Sequence, residues 1–401
     1  MILPIDFELI YCYSRIIMSS PNPKMLIWAR EQAGLSLQDA AKKLGLKVSR
    51  LSDFESGEKV PTSNQLNNIA KIYHRPLISF YLEKPPIVAS KGEDFRTIYN
   101  APDPMEDAAV NTLIRNVHVR QSIVREAMID SDSAIALSYV GSMKNNMPIK
   151  EAASYVIECF NIDIDIYRKQ KDAHSAFNFL RKTIEDKGIF VLLLGNLGSH
   201  HSDIPVSYFR GFALSDDIAP FIVINDNDSK YAWSFTLLHE LVHILIGSTG
   251  VSNNNIDNIT EKYCNDVASQ ILLPDNDFIP INNVSGFTTE EVIEKISEFS
   301  SVFNVSSTMI AYRLYVSGKI SRDNWEYISD VFFKKWLSAK EEKKQKSKSS
   351  GGTYYITKKH KVGNALSNLV KKSIIDGVLT ETKAGKVLGV SPGNVIELVG
   401  L

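Results

Sequence analysis

Apolar and polar positions alternate along the chain so as to predict many helices, one short run of strands and two polar breaks. From Lys24 to Tyr81 the pattern predicts five short helices. Residues Met25 to Ala33 close at Gly34. Ser36 caps Leu37 to Leu44, and Gly45 makes the next turn. Lys47 to Glu55 follows and ends at Ser56-Gly57, after which Pro61-Thr62 opens a helix carrying Leu66, Ile69, Ala70 and Tyr73. Pro85-Pro86 marks a break. From Asp103 to Asn161 the spacing is again helical, with Val110, Leu113, Ile114 and Val117 on one face, and Ala176, Phe177, Leu180 and Ile184 mark another helix. Ile189 to Leu194 has the length of a buried strand; Tyr208 to Leu214 and Phe221 to Ile224 complete a small sheet. Helices resume after Pro280 as far as about Trp336, with Thr288-Thr289-Glu290-Glu291 as a start signal.

The resulting fold class is multidomain, mainly α with a small mixed sheet. The expected divisions are an N-terminal extension (1–23), an all-α domain (24–84), a linker and helical segment (85–160), an α+β core (161–280), a helical extension (281–339), a Lys/Ser/Gly linker (340–352) and a helical tail (353–401). The linker holds five lysines, two glutamates and paired glycines, the composition of a solvated tether. In the tail, Thr380 to Ser391 has the spacing of a second helix-turn-helix unit.

Candidate chemistry concentrates in the apolar run Ser234 to Gly247, which contains His239-Glu240-Leu241-Val242-His243. Residues four apart share a helix face, so His239 and His243 can turn two imidazoles toward one ion. Glu240 lies on a neighbouring radial line, where a general base for zinc-activated water belongs. The surrounding segment is apolar nearly all round, so the helix should be buried, and three buried polar side chains there need a partner. A third protein ligand is required, and Glu261 is the first candidate. It stands 18 residues past His243, across an expected loop from Gly247 to Asn258, in the first turn of a second helix that Pro274 stops. Asp257 and Asp266 compete with it, and Asn265, one turn later, is placed to orient a ligand. For an oxyanion donor the sequence offers Tyr263, Tyr208 and His200-His201, the last pair more simply an exposed loop.

These residues resemble the ImmA/IrrE family of metallo-endopeptidases. The resemblance rests on His239-Glu240-Leu241-x-His243, then Glu261, Cys264, Asn265, Ala268, Leu272 and Pro274 at the family's spacing. It extends upstream to Phe209–Leu214 and Ala219–Asn225, similar to the family's two strands before the active-site helix, and to Asp94-Phe95-Arg96-Thr97. It implies a zincin-like peptidase in which His239, His243 and Glu261 hold the metal and Glu240 is catalytic. Zinc is the implied cofactor, with manganese as the alternative. Two departures, Cys264 for the usual alanine and Val267 for the usual aromatic, are expected to be packing changes. The N-terminal helices resemble the XRE/Cro-type helix-turn-helix through Glu55-x-Gly57-x-x-x-Pro61.

Relatives of this type cleave XRE-like repressors, so the resemblance implies an endopeptidase that derepresses mobile-element, defence or stress genes. The implied partner is a protein substrate, itself a helix-turn-helix repressor. DNA is a second candidate partner. The presumed reading face offers Lys47, Ser49, Arg50 and Ser52, and residues 24–84 carry ten basic and six acidic side chains. That field is modest, and Asp53, Glu55 and Glu58 oppose it. The competing class is a non-catalytic DNA-binding or antitoxin-like regulator that uses the peptidase fold as a sensor.

Composition narrows the setting. A net charge of −1 gives no global attraction to nucleic acid or membrane. Three widely spaced cysteines, Cys12, Cys159 and Cys264, point to a reducing cytosol and not to a disulfide framework. No apolar run reaches transmembrane length. Met1 to Met18 contains Asp6, Glu8 and Arg15 and lacks the basic start of a signal peptide, so a cytoplasmic protein is expected. Nothing in the sequence sets an oligomeric state.

Overall fold

The structure, a computed structural model, describes residues 20–86, 104–198, 202–247, 254–284, 286–346 and 354–401. The expected N-terminal extension up to Ser19, the Asp94-Phe95-Arg96-Thr97 motif and His200-His201 lie outside these residues. The chain forms two compact units that divide between Ile114 and Arg115.

In the first unit, α1 (Pro23–Gln32), α2 (Leu37–Leu44), α3 (Val48–Ser56) and α4 (Ser63–Ile72) precede a 3₁₀ turn at Leu77–Tyr81. Caps set the boundaries. Ser36 accepts a hydrogen bond from the Asp39 N–H at 3.1 Å, and Thr62 with Gln65 forms a capping box. Gly45 and Gly57, both left-handed, end α2 and α3. Leu26, Ala29, Ala40, Leu51, Phe54, Leu66, Ile69 and Phe80 close one small core.

The second unit contains the rest of α5 (Pro104–Asp130), then α6 (Ile149–Phe160), α7 (Ile164–Arg168) and α8 (Ala173–Glu185). The helical pattern expected from Asp103 to Asn161 is interrupted: residues 131–148 form turns between α5 and α6. The sheet has strands β1 (Phe190–Leu193), β2 (Gly211–Leu214) and β3 (Phe221–Ile224) in the order β1-β3-β2. β1 runs parallel to β3, with Phe190 opposite Phe221, and β2 runs antiparallel, with Gly211 opposite Ile224. All four residues of the central strand are buried, as a strand covered on both faces requires. The turn from β2 to β3 is built by Asp216, whose carboxylate accepts from the Ile218 and Ala219 N–H groups. Beyond β3, fully buried Asn225 donates to the Ile204 and Phe209 carbonyls and so ties down the loop entering β2.

α9 (Lys230–Ile246) starts at Ser229, whose hydroxyl accepts from Ala232 N–H, and ends at left-handed Gly247. It packs against β2, β3, α8 and α10 (Asn254–Leu272). α10 begins at Asn254, inside the stretch expected as a loop to Asn258, so Glu261 stands about two turns into the helix and not in its first turn. α11 (Asp275–Asn282), α12 (Thr289–Phe303) and α13 (Ser307–Val316) follow. Arg313 of α13 fastens the end of α10, donating to the Ser269 and Leu273 carbonyls and pairing with Asp275 at 2.7 Å.

α14 (Arg322–Lys346) runs past Trp336 into the expected linker. Its Lys340 donates to the Asn227 carbonyl at 2.7 Å, so the start of that lysine run is helical and bound to the core. Four further helices, α15 (Tyr354–Val362), α16 (Asn364–Ile375), α17 (Glu381–Leu388) and α18 (Val395–Val399), form the C-terminal piece. It packs on β1 and α8. Arg181 of α8 makes that junction: it donates to the His360, Lys361 and Val191 carbonyls and pairs with Glu185 at 3.1 Å.

Candidate metal centre

α9 carries the deciding side chains in its middle, where His239, Glu240 and His243 are each 1% exposed. One helical turn brings the two imidazoles together with Nε2 to Nε2 at 3.0 Å. Glu261 reaches across from α10, its carboxylate 3.4 Å from His239 Nε2 and 3.2 Å from His243 Nε2. Ligand atoms of these three residues all lie within 4.8 Å of one another. Among the described residues they are the one group of this kind. Two imidazoles and one carboxylate, half enclosed and all aimed at one point, have the chemistry of a site for a divalent cation.

Glu240, the neighbour of His239 in sequence, packs against β2. Its Oε1 lies 2.8 Å from where a Cβ on Gly211 would stand, at the first residue of β2. The carboxylate is therefore wedged against the start of that strand. Thr236, one turn earlier on α9, would stand 2.5 Å from the same Cβ through its methyl group. Only a glycine lets helix and strand approach this closely.

Residues 195–315 match the family model of the IrrE N-terminal-like domain. They form an IrrE N-terminal-like peptidase domain. A second match, to a helix-turn-helix model, covers residues 26–80, in agreement with α1 to α4. No curated protein matches the chain. The IrrE N-terminal-like family is one of metallopeptidases, so a metal is implied, and the donor set fits one. α5 to α8, β1 and α14 to α18 lie outside both matches.

Around the donors the structure departs from two expectations. Cys264, expected only to alter packing, places its Sγ 3.7 Å from His243 Nδ1, the ring nitrogen turned away from the other donors. It is fully buried and sits where a group orienting the ring belongs. Asn265, expected in that role, is half-buried on the next position of α10. Asp266, a competitor for the third ligand position, instead accepts from the Tyr312 hydroxyl at 3.3 Å. The side chain of Asp257 lies outside the described residues. Tyr263 is spoken for as well, its hydroxyl 3.5 Å from the Lys144 carbonyl, and burial raises that phenol to about 12. Tyr208 lies half-buried in the loop entering β2. Gly211 and Cys264 carried no chemical signal of their own in the sequence; each matters through a neighbour from another element.

In the helix-turn-helix domain Lys47, at the N-cap of α3, and Ser49 and Ser52 within it are exposed. Arg50 is half-buried, its guanidinium 4.9 Å from the Phe54 ring centre. Two of the three acids expected to oppose DNA are neutralised. Asp53 pairs with Lys59 at 2.6 Å, and Glu55 takes a two-pronged bond from Arg30 at 2.8 and 3.1 Å. The Glu55 carboxylate, hydrogen-bonded to that guanidinium, holds Arg30 above its ordinary value.

Proposed function

We propose that this chain is a zinc-dependent endopeptidase of the cytosol that cuts a helix-turn-helix repressor and so releases mobile-element, defence or stress genes. The reading is carried by the convergence of His239, His243 and Glu261 on one point, with the buried Glu240 next to His239 in the same helix and against Gly211. His239 and His243 through Nε2, and Glu261 through its carboxylate, would hold the ion. Such a donor set suits zinc and leaves a position open; manganese is the alternative. When bound, the ion supplies a Lewis acid for the scissile carbonyl and for water.

Glu240 accepts a proton from water as that water adds to the carbonyl carbon, then delivers it to the departing amine nitrogen. Its burial keeps bulk water from competing for that proton. Among the described residues β2 pairs with β3 alone, and Gly211 at its start touches Glu240. An extended peptide added along β2 would thus run past the catalytic carboxylate.

The helix-turn-helix domain serves as the targeting element in this reading. Pairing Asp53 with Lys59 and Glu55 with Arg30 removes two acids and two bases together, so residues 24–84 keep their excess of four positive charges. That favours DNA, at contacts from Lys47, Ser49, Arg50 and Ser52.

The test compares cells expressing wild type or Glu240→Gln, with and without DNA damage, by mapping every new protein N-terminus. A cut seen only with wild type, inside one helix-turn-helix repressor, supports the reading. Identical termini under both conditions, with a cellular phenotype that survives Glu240→Gln, would instead establish a non-catalytic regulator.

A further inference from the structure

Arg120 on α5 and Lys358 on α15 bring two cationic heads to one place outside the metal centre. A Cβ on Gly389, at the end of α17, would stand 2.7 Å from Arg120 Nη2 and 3.3 Å from Lys358 Nζ, so these nitrogens lie within about 6 Å of each other. Arg120 Nη1 is closed to solvent and has no hydrogen-bond partner. Asp226, the acid whose charge acts on Lys358, pairs with Lys361 at 2.6 Å. No carboxylate among the described residues forms an ion pair with Arg120 or Lys358.

Such an arrangement is costly by itself. Burial lowers the Arg120 guanidinium to about 10. Burial first, then Arg120 and Lys361, lower the Lys358 ammonium to about 8, with Asp226 opposing. The carboxyl end of α17 offers only about half a negative charge, against two full cations. The fold therefore holds a pair of cations that no carboxylate among the described residues neutralises.

We propose that Arg120 and Lys358 form a binding site for a phosphate-type dianion, at the junction of α5 with the C-terminal helices. The guanidinium provides a planar fork that fits two oxygens of a tetrahedral anion, and the ammonium provides a point charge beside it. Two positive charges match a dianion, whereas a single carboxylate would leave one uncompensated. Bound there, the anion would bridge α5 to α15 and the α17 turn. The C-terminal piece, which neither family match covers, thereby gains a ligand. Inorganic phosphate and the phosphate of a nucleotide share this chemistry.

The test uses the full chain, titrated with inorganic phosphate and with a nucleoside monophosphate by calorimetry and thermal unfolding, against chloride at equal ionic strength. Saturable phosphate binding that raises the melting temperature is expected, and Arg120→Met and Lys358→Met should each weaken it at least about tenfold. Arg120→Met should melt no lower than wild type without phosphate, since it removes an uncompensated cation. Nucleotide binding about tenfold tighter than phosphate would identify a nucleotide ligand; equal affinity would identify the free anion. No saturable binding by wild type, or binding unchanged in both variants, overturns the proposal.

Discussion

Glu240 and Gly211 are in contact: the carboxylate oxygen Oε1 sits 2.8 Å from the point where a side chain on Gly211 would begin. The metal-centre helix and the edge strand are thus fitted to each other through one missing methyl group. Gly211→Ala must push Glu240, Thr236 or the β2 backbone aside, at a cost of about 1–3 kcal/mol for overpacking. Peptidase activity should fall at least about tenfold, while zinc affinity, set by His239, His243 and Glu261, none of them among the atoms a Gly211 side chain would meet first, stays within a few-fold. Cleavage rates beside a zinc titration check this; a variant that loses both in parallel would mean general unfolding.

Glu240→Gln keeps the shape of the side chain and removes the base. Cleavage should drop by about 10²- to 10⁴-fold or more, with metal content unchanged by elemental analysis. His239→Ala and Glu261→Ala should lose the metal itself. If Glu261→Ala retained it at full affinity, the third ligand would have to be another residue.

Cys264 predicts an effect that a packing residue would not give. With its sulfur 3.7 Å from His243 Nδ1, Cys264→Ala should lower zinc affinity by about 10- to 100-fold, as loss of a ligand-orienting group does. Cys264→Ser, which restores a donor and acceptor, should recover part of it. Equal affinity in all three proteins would reduce Cys264 to a space-filler.

Acid should loosen the C-terminal piece. His360 Nε2 lies 3.2 Å from Asn178 Oδ1, and Asn178 Nδ2 lies 3.3 Å from His174 Nε2, an arrangement that suits neutral rings. Burial first, then Arg181, His174, Lys230 and Lys361, lower His360 to about 4, and burial lowers His174 as well. A histidine with a depressed folded value adds stability above its unfolded value, near 6.5, and loses it as pH falls toward the folded value. Protease access to α15–α18 should therefore rise between about pH 6.5 and 4. In His360→Gln that rise should be shallower; an unchanged profile would place the titration elsewhere.

Lys47 would meet DNA as a point charge and not as a base-reading group. Lys47→Ala should weaken binding to all sequences alike and reduce the salt slope by about one. Asp53→Asn removes an acid and frees Lys59, so it should tighten binding to all sequences, most at low salt.

Local chemistry made the core of this protein legible in its sequence. The helix repeat alone aligns His239 with His243 and offsets Glu240, and the helix ends at Ser36, Thr62 and Gly247 are fixed through bonds to residues a turn away. The length of the gap to Glu261 was enough to bring a second helix back over the first. The rest depends on partners that sequence does not set side by side. Where α10 begins, and that Cys264 rather than Asn265 meets the imidazole, follow from how α10 lies on α9. That Asp53 and Glu55 are neutralised depends on Lys59 and on Arg30 from α1. Gly211 earns its meaning only against Glu240, and Arg120 and Lys358 meet only because α15 and α17 fold back onto α5. Short-range hydrogen bonding and periodicity act within a few residues and can be read from order alone. Close approach and uncompensated charge are properties of the packed chain, which tertiary structure alone decides.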